Sequence, residues 1–243
     1  YAVSAFSELG QKAFSGKLNY KANHFGMQNF DLNLSGGIGD RWLYTAGMYQ
    51  NFDPGSFKLR FTDYADRTQI YHLGLTRILG DGKGRISLLY KYSNSKNPGS
   101  FANAAPFIYV GDGSIKKLAG FDPGLDSYVQ RQGSFKYLNT KTGKMETWNM
   151  TDVTDNHANE VALVSQYQFD NGWLWKFNAK YMDAPRANCV DYGGSTISEV
   201  SAADGYQLSD GSAYSGLIEG RRTWLHFGKV SNALLTTEMS KQL

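Results

Sequence analysis

The chain has 243 residues with 25 basic and 22 acidic side chains, a net charge of +3 dispersed along its length, which excludes the clustered basic face of a nucleic-acid binder. Its 27 glycines, 5 prolines and 14% aromatic content favour many strands and turns over an all-helical fold. A single cysteine, Cys189, excludes an internal disulfide and a zinc site of several thiolates, and no run approaches the roughly 18 apolar residues of a membrane-crossing helix.

Residues 14–23 (FSGKLNYKAN) put Phe14, Leu18, Tyr20 and Ala22 on one side and Lys17, Asn19, Lys21 and Asn23 on the other, the period of two that marks a strand. The start lacks both Met and a charged-then-apolar leader, so a removed signal peptide or a piece of a longer protein is expected. After a brief link at His24 to Gly26, Phe30, Leu32 and Leu34 alternate with Asn29, Asp31, Asn33 and Ser35, a second strand with one apolar face. Gly36-Gly37-Ile38-Gly39-Asp40 turns the chain into a third strand, where Trp42, Tyr44, Ala46 and Met48 oppose Leu43, Thr45, Gly47 and Tyr49. Neither of its sides is polar enough to set the orientation. Asp53-Pro54-Gly55 then opens a medium loop or hairpin extension over residues 51–65.

Residues 66–95 form the clearest hairpin. Tyr71, Leu73, Leu75 and Leu79 share one face, as do Ile86, Leu88, Tyr90 and Tyr92, and Gly80-Asp81-Gly82-Lys83-Gly84 supplies a turn that accepts positive φ at little steric cost. Each arm runs about ten residues, beyond the usual five or six of a soluble strand and close to the roughly 9–11 that cross a bilayer at a tilt. Residues 96–157 read as a long irregular excursion, far longer than compact soluble domains normally contain. Alternation returns with Val161, Leu163, Tyr167 and Phe169 against Gln166 and Gln168, and Asp170-Asn171-Gly172 closes a tight hairpin. In the next arm, residues 173–183, the row Trp173, Trp175, Phe177, Ala179 and Tyr181 lies opposite Lys176, Asn178 and Lys180, as lipid on one side and water on the other would select. A second long stretch covers residues 184–229, where Cys189 is expected as a loop bystander, and a last arm alternates from about Ser231 to Leu243.

Short connections at 36–40, 80–84 and 170–172 alternate with longer ones at 51–65, 96–157 and 184–229. In an up-and-down meander every second connection lies at the same end, so all short turns should share one end and all long loops the other, the plan of an outer-membrane barrel. The link at His24 to Gly26 is the exception, short where a long loop is expected. The expected fold is therefore all-β, an antiparallel up-and-down transmembrane barrel segment of about eight strands. Phe30, Leu32, Ile86, Leu88, Tyr90, Trp173, Trp175, Phe177 and Tyr181 are its lipid-facing residues, and the partner they imply is outer-membrane lipid.

Gly80 to Lys83 has the look of a phosphate loop but lacks the Ser or Thr after Lys83 and the following helix, so a plain turn is expected. Asp152, Asp155, His157 and Glu160 could offer oxygen donors to a hard cation, yet lack the spacing and turn glycine of a calcium loop, and a solvated loop is the simpler reading. Asp63 with Asp66, or Asp183 with Glu160, could be paired carboxylates for glycoside hydrolysis only if space brings them together. No catalytic residue, metal site or cofactor is assigned. Arg60, Tyr109, Tyr128, Arg131, Tyr137 and Trp148 lie in the long loops and are candidates to stack on or clasp a ligand, the alternative being that they pack loop against loop.

Residues 49–77 (YQNFDPGSFKLRFTDYADRTQIYHLGLTR), with FDLNLSGGIGDRW at 30–42 and GKGRISLLYKYSNS at 82–95, resemble the early barrel strands of TonB-dependent outer-membrane receptors, particularly those of Bacteroidetes. The resemblance is strongest over residues 14–95 and weaker over 158–183; it lies in strand and turn pattern. It implies part of a 22-stranded barrel in the bacterial outer membrane, importing a scarce nutrient with energy delivered by TonB. The family's plug and TonB-contacting segment have no match in this sequence, so those parts and the remaining strands are expected outside it. The implied cargo is a glycan, a peptide, a cobalamin or an iron chelate, with a surface lipoprotein as a possible lid. The alternatives are a complete small outer-membrane barrel with a structural or adhesive role, and a secreted soluble β-sandwich that binds sugar or acts as a glycosidase.

Overall fold

The structure is a computed structural model that describes residues 9–56, 63–97, 107–122, 134–149, 154–193, 196–218 and 221–241. Eight strands form the principal sheet: β1 (Ser15–Ala22), β2 (Gln28–Ile38), β3 (Trp42–Asp53), β4 (Asp66–Leu79), β5 (Gly84–Asn97), β10 (Thr154–Gln168), β11 (Trp173–Gly193) and β14 (Arg221–Lys241). They are hydrogen-bonded in chain order and every pair is antiparallel, an up-and-down meander. The expected all-β, antiparallel class is present, and no α-helix occurs among the described residues. The sheet is open: β1 and β14 are its two outer strands and do not pair with each other.

Register shows how the alternation is used. Leu34 pairs with Ala46, Ala46 with Leu73, Leu73 with Tyr90, Tyr90 with Val161, Val161 with Tyr181 and Tyr181 with Ala233, one apolar row across seven strands. Directly paired residues share a face, so one face carries this row and those beside it. The undecided β3 is settled by pairing, with Trp42, Tyr44, Ala46 and Met48 on the apolar face and Leu43, Thr45, Gly47 and Tyr49 opposite. The other face carries rows such as Asn29, Asn51, Thr68, Ser95 and Asn156.

Burial runs against the soluble rule that hydrophobic side chains go inside. Thr76 and Ser87, on the polar face, are 1% and 0% exposed, whereas Leu73, Leu88 and Leu235 on the apolar face are 60%, 56% and 66% exposed. Leu43 and Ile197 are the only buried hydrophobic side chains among the described residues. None of Phe30, Leu32, Ile86, Leu88, Tyr90, Trp173, Trp175, Phe177 and Tyr181 is buried. All nine lie on the apolar face.

The short connections, 39–41 between β2 and β3, 80–83 between β4 and β5 and 169–172 between β10 and β11, lie at one end of the meander. Gly80 to Gly82 forms a single helical turn in which the Lys83 N–H donates to the Gly80 carbonyl, and a strand follows at once, so the glycines serve a turn. At the opposite end the short β1–β2 link is tied by Asn23, whose Oδ1 accepts from the N–H groups of Phe25 at 3.0 Å and Met27 at 3.1 Å.

The two long stretches depart from expectation because both contain strands. Within residues 98–153 lie β6 (Phe107–Tyr109), β7 (Ile115–Lys117), β8 (Ser134–Asn139) and β9 (Lys144–Asn149), and between β11 and β14 lie β12 (Thr196–Val200) and β13 (Gly216–Ile218). β6 pairs in parallel with β12, so the two excursions join in one four-stranded sheet in which Ile197 is buried. β11 and β14 each run 21 residues, ten or so longer than their alternation indicates, and stay paired from Trp173–Lys241 to Gly193–Arg221. Cys189 accordingly sits in strand β11 and not in a loop. Pro185, which has no N–H to donate, falls where the β10–β11 pairing lapses between Asn156–Arg186 and Asn159–Asp183.

On the polar face a Cβ at Gly47 would stand 2.4 Å from His72 Nε2 and 2.7 Å from the Leu32 carbonyl oxygen, so glycine there makes room for the imidazole against a fixed backbone. Gly47→Ala is expected to lower the unfolding free energy by about 1–3 kcal/mol, measured by urea titration, whereas Gly228→Ala, whose Cβ would meet nothing within 4 Å, stays within about 0.5 kcal/mol.

Candidate functional site

Two regions of the described structure gather side chains capable of recognition: the polar face of the principal sheet, and the excursions at the end opposite the short turns. On the polar face short amide, hydroxyl and carboxylate side chains of the five neighbouring strands β1 to β5 bond one another. Asn29 Nδ2 donates to Asn51 Oδ1 at 3.4 Å, and Asn51 Nδ2 to Asp66 Oδ2 at 2.9 Å. Thr68 Oγ1 donates to Asp66 Oδ1 at 2.7 Å and lies 3.2 Å from Ser95 Oγ. Asp31 accepts from Asn19 at 3.2 Å and from Asn33 at 2.7 Å. Glu160 stands between Lys180 at 2.6 Å and Lys91 at 4.0 Å. These bonds satisfy side chains that are largely shielded, Asn29 and Asn51 being 8% exposed each, and hold the donors and acceptors of the face in place.

In the excursions the clearest construction is the β8–β9 hairpin. Tyr137 pairs with Glu146 across it, and the phenol donates to Glu146 Oε2 at 2.8 Å. Asn139 Nδ2 at 2.9 Å and Thr142 Oγ1 at 3.1 Å donate to Oε1 of the same carboxylate. The bond from Tyr137 is the main cause that holds the Glu146 carboxyl below the usual range; partial burial opposes it, and Asn139, Thr142 and the Lys144 charge add to it. Partial burial, then the neighbouring carboxylate, pushes the Tyr137 phenol up. Trp148 lies two residues along on the same face and is half-buried.

The sequence candidates are thereby separated. Tyr137 is engaged in holding its hairpin together, Trp148 belongs to the same hairpin, and Tyr109 is exposed at the end of β6. Arg60, Tyr128 and Arg131 lie outside the described residues. The residues weighed as a cation cluster do not converge: His157 pairs with Asn94 on the apolar face and Glu160 with Lys91 on the polar face, while Asp152 and the Asp155 side chain lie outside the described residues. No group of three metal-ligating side chains occurs among the described residues. Asp183 pairs with Asn159 on the apolar face, opposite Glu160, so those two carboxylates cannot act on one glycosidic bond. Missed in the sequence was a cleft at the short-turn end of the polar face, lined by Lys12, Arg41 and Arg85 among others; its residues come from stretches too far apart for any local pattern to unite them.

No protein-family model, no curated protein and no solved structure matches the chain.

Because the Glu146 carboxyl is held below its ordinary range, its contribution to the hairpin is complete above the unfolded-state value and is lost as pH falls through the lower, folded one. Hydrogen exchange at Leu138 and Met145, corrected for intrinsic rate, should therefore accelerate on acidification in the wild type. In Glu146→Gln it should be faster at neutral pH and indifferent to that same acidification.

Proposed function

We propose that this chain is part of the wall of a bacterial outer-membrane β-barrel of the TonB-dependent receptor kind, which captures a scarce nutrient ligand with its long loops and passes it along a polar lumen. The observation that carries the reading is the inverted burial: serines and threonines are sealed on one face while leucines, tyrosines and tryptophans stand open on the other. In water such an apolar face would aggregate; in hydrocarbon it needs no cover.

Dimensions support the same reading. On β11 the apolar row runs from Trp173 to Tyr181 and gives way to Asp183. That is about 26 Å along the strand, or about 20 Å of height at a tilt of about 40°, comparable with the roughly 25 Å apolar band of membrane barrels. Its rims carry aromatic rings beside cations: the Arg77 guanidinium lies 5.5 Å over Trp42 and Lys241 Nζ 6.0 Å over Trp173 at the short-turn rim, and Arg67 5.8 Å over Phe52 at the other. Rings at the interface with charged tips reaching toward water suit a bilayer boundary.

The open edges support part of a larger barrel. β1, eight residues long, and β14, twenty-one, are the outer strands of the sheet. Unpaired backbone in hydrocarbon costs several kcal/mol per group, and β1 and β14 are not paired with each other, so in this reading further strands continue the wall beyond both edges. In this reading the short turns face the periplasm, the joined excursions face outward, and outer-membrane lipid is the first partner. TonB acts through parts of the receptor outside this chain, a surface lipoprotein is a further candidate partner, and no cofactor and no catalytic chemistry are proposed. The secreted β-sandwich is less favoured, because no second sheet covers the apolar face among the described residues.

Substitution on the two faces tests the membrane reading. Refolded into lipid bilayers, Leu88→Arg should cost about 2–4 kcal/mol of stability, while Ser93→Arg on the polar face should stay within about 1 kcal/mol. A chain that is monodisperse in plain buffer and indifferent to Leu88→Arg would overturn it.

A further inference from the structure

We propose that the short-turn rim of the apolar face seats anionic phospholipid headgroups, with Arg77 and Lys241 each holding one phosphate-bearing headgroup beside a tryptophan. The inference rests on the membrane reading and adds to it which lipid this rim prefers.

Each seat is a cross-strand pair. Trp42 stands directly opposite Arg77, and Trp173 opposite Lys241. The cations lie 5.5 Å and 6.0 Å over the two rings, and all four side chains are exposed. A ring attracts a cation without neutralising its charge. Neither Arg77 nor Lys241 forms an ion pair, and no Asp or Glu stands on the apolar face at this rim among the described residues. Of the turn carboxylates, Asp170 is taken by Lys83, Asp40 lines the cleft on the polar face, and the Asp81 side chain lies outside the described residues. The opposite rim mixes its signs, with Lys229 lying 3.0 Å from Asp183. Two exposed cations without counter-charges, at the level where headgroups begin, call for lipid phosphate. The guanidinium fork suits two of its oxygens, the ammonium acts as a point charge, and the indoles sit at headgroup depth.

The stagger of the sheet brings the two seats to one depth. Pairing carries Arg77 to Ile86, Ser165, Phe177 and Thr237, and Lys241 lies four positions beyond Thr237 on β14. The cations are thus four strands and four residues apart, about 19 Å across the strands and about 13 Å along them. A line of that slope lies level when the strands tilt by about 35°, within the range of barrels. The turns step alike: from the Leu79–Gly84 pair the row runs to Tyr167, and the next turn closes two residues farther, at Phe169 and Trp173. The tilt that levels the turns therefore levels the cations, as the headgroups of a single leaflet require.

Tryptophan quenching tests the seats, because Trp42 and Trp173 are themselves the reporters. The full chain is refolded into phosphatidylcholine bilayers that contain equal mole fractions of either phosphatidylglycerol or phosphatidylcholine brominated on the upper acyl chain. At low salt the brominated phosphatidylglycerol should quench as a lipid bound about fivefold more tightly, from about 1 kcal/mol per cation near an anionic surface. The double variant Arg77→Gln/Lys241→Gln should lose this preference, and Arg77→Lys/Lys241→Arg should keep it. Arg67→Gln removes one charge at the opposite rim, more than a screening length away, and should leave the preference within about twofold. If the double glutamine variant fails to insert, each single one should show an intermediate preference. Equal quenching by the two lipids in the unmodified chain, or a preference that survives loss of both cations, would overturn the proposal and leave the membrane reading standing. Quenching by neither lipid would overturn both.

Discussion

A residue in a strand has its neighbours on alternate faces, and cross-strand pairing copies that choice to the next strand, so one register decision propagates across the whole sheet. From Leu34 to Ala233 the central row makes the same choice in every strand it crosses, with apolar side chains on one face, while rows such as Asn29 to Asn156 set amides and hydroxyls on the other. A slip of one residue in β4 alone would bring Thr76 among the leucines and Leu75 against Ser87. The bond of 2.8 Å between Thr76 and Ser87 would be lost with it, as would the hold of Thr76 on the Leu9 carbonyl. Interaction on the polar face is directional and fixes the register; interaction on the apolar face is not directional and only requires a medium that does not hydrogen-bond.

The same constraint sorts the ends. The turns of three or four residues are tied to one another, Lys83 of the second pairing with Asp170 of the third. At the other end β6 pairs with β12, and the excursion that follows β5 is joined to the one that follows β11. Two loops joined in this way share the ordering cost and present a surface together, with Ile197 buried within the small sheet. The Tyr137–Glu146 hairpin shows that a loop aromatic can be occupied in structure while Tyr109, exposed on the same excursion, stays accessible.

The meander was legible because Phe30 to Ser35, Tyr71 to Leu79 and Ile86 to Tyr92 alternate over whole strand lengths and are separated by glycine turns. The distal halves of β11 and β14 were not. Residues 184–193 (APRANCVDYG) include a proline and no alternation, and they are strand because residues 221–230 pair with them along their length. Long-range pairing overrode local preference there, as it did for β6 and β12, three and five residues long and defined mainly by each other. The hairpin around Glu146 could have been read, since Asn139-Thr140-Lys141-Thr142-Gly143 is a turn signal, and Asn139 Oδ1 accepts from the Lys141 N–H at 3.0 Å. The cation cluster, already the less favoured reading, is ruled out by period: positions 157 and 160 in one strand are three apart, and an odd spacing puts them on opposite faces.

The open edges connect the fold to its setting. The outer strands β1 and β14 each leave one backbone edge without a strand partner among the described residues, and both edges demand hydrogen-bond partners. In water both could be met by solvent, but then the exposed leucines would have no cover. In lipid the leucines need none, but then every unpaired N–H and C=O within the membrane must find a strand. Each medium leaves one requirement unmet for this sheet by itself, and only lipid leaves a requirement that additional strands of the same kind can satisfy. That reasoning supports the proposed barrel wall over a free-standing sheet.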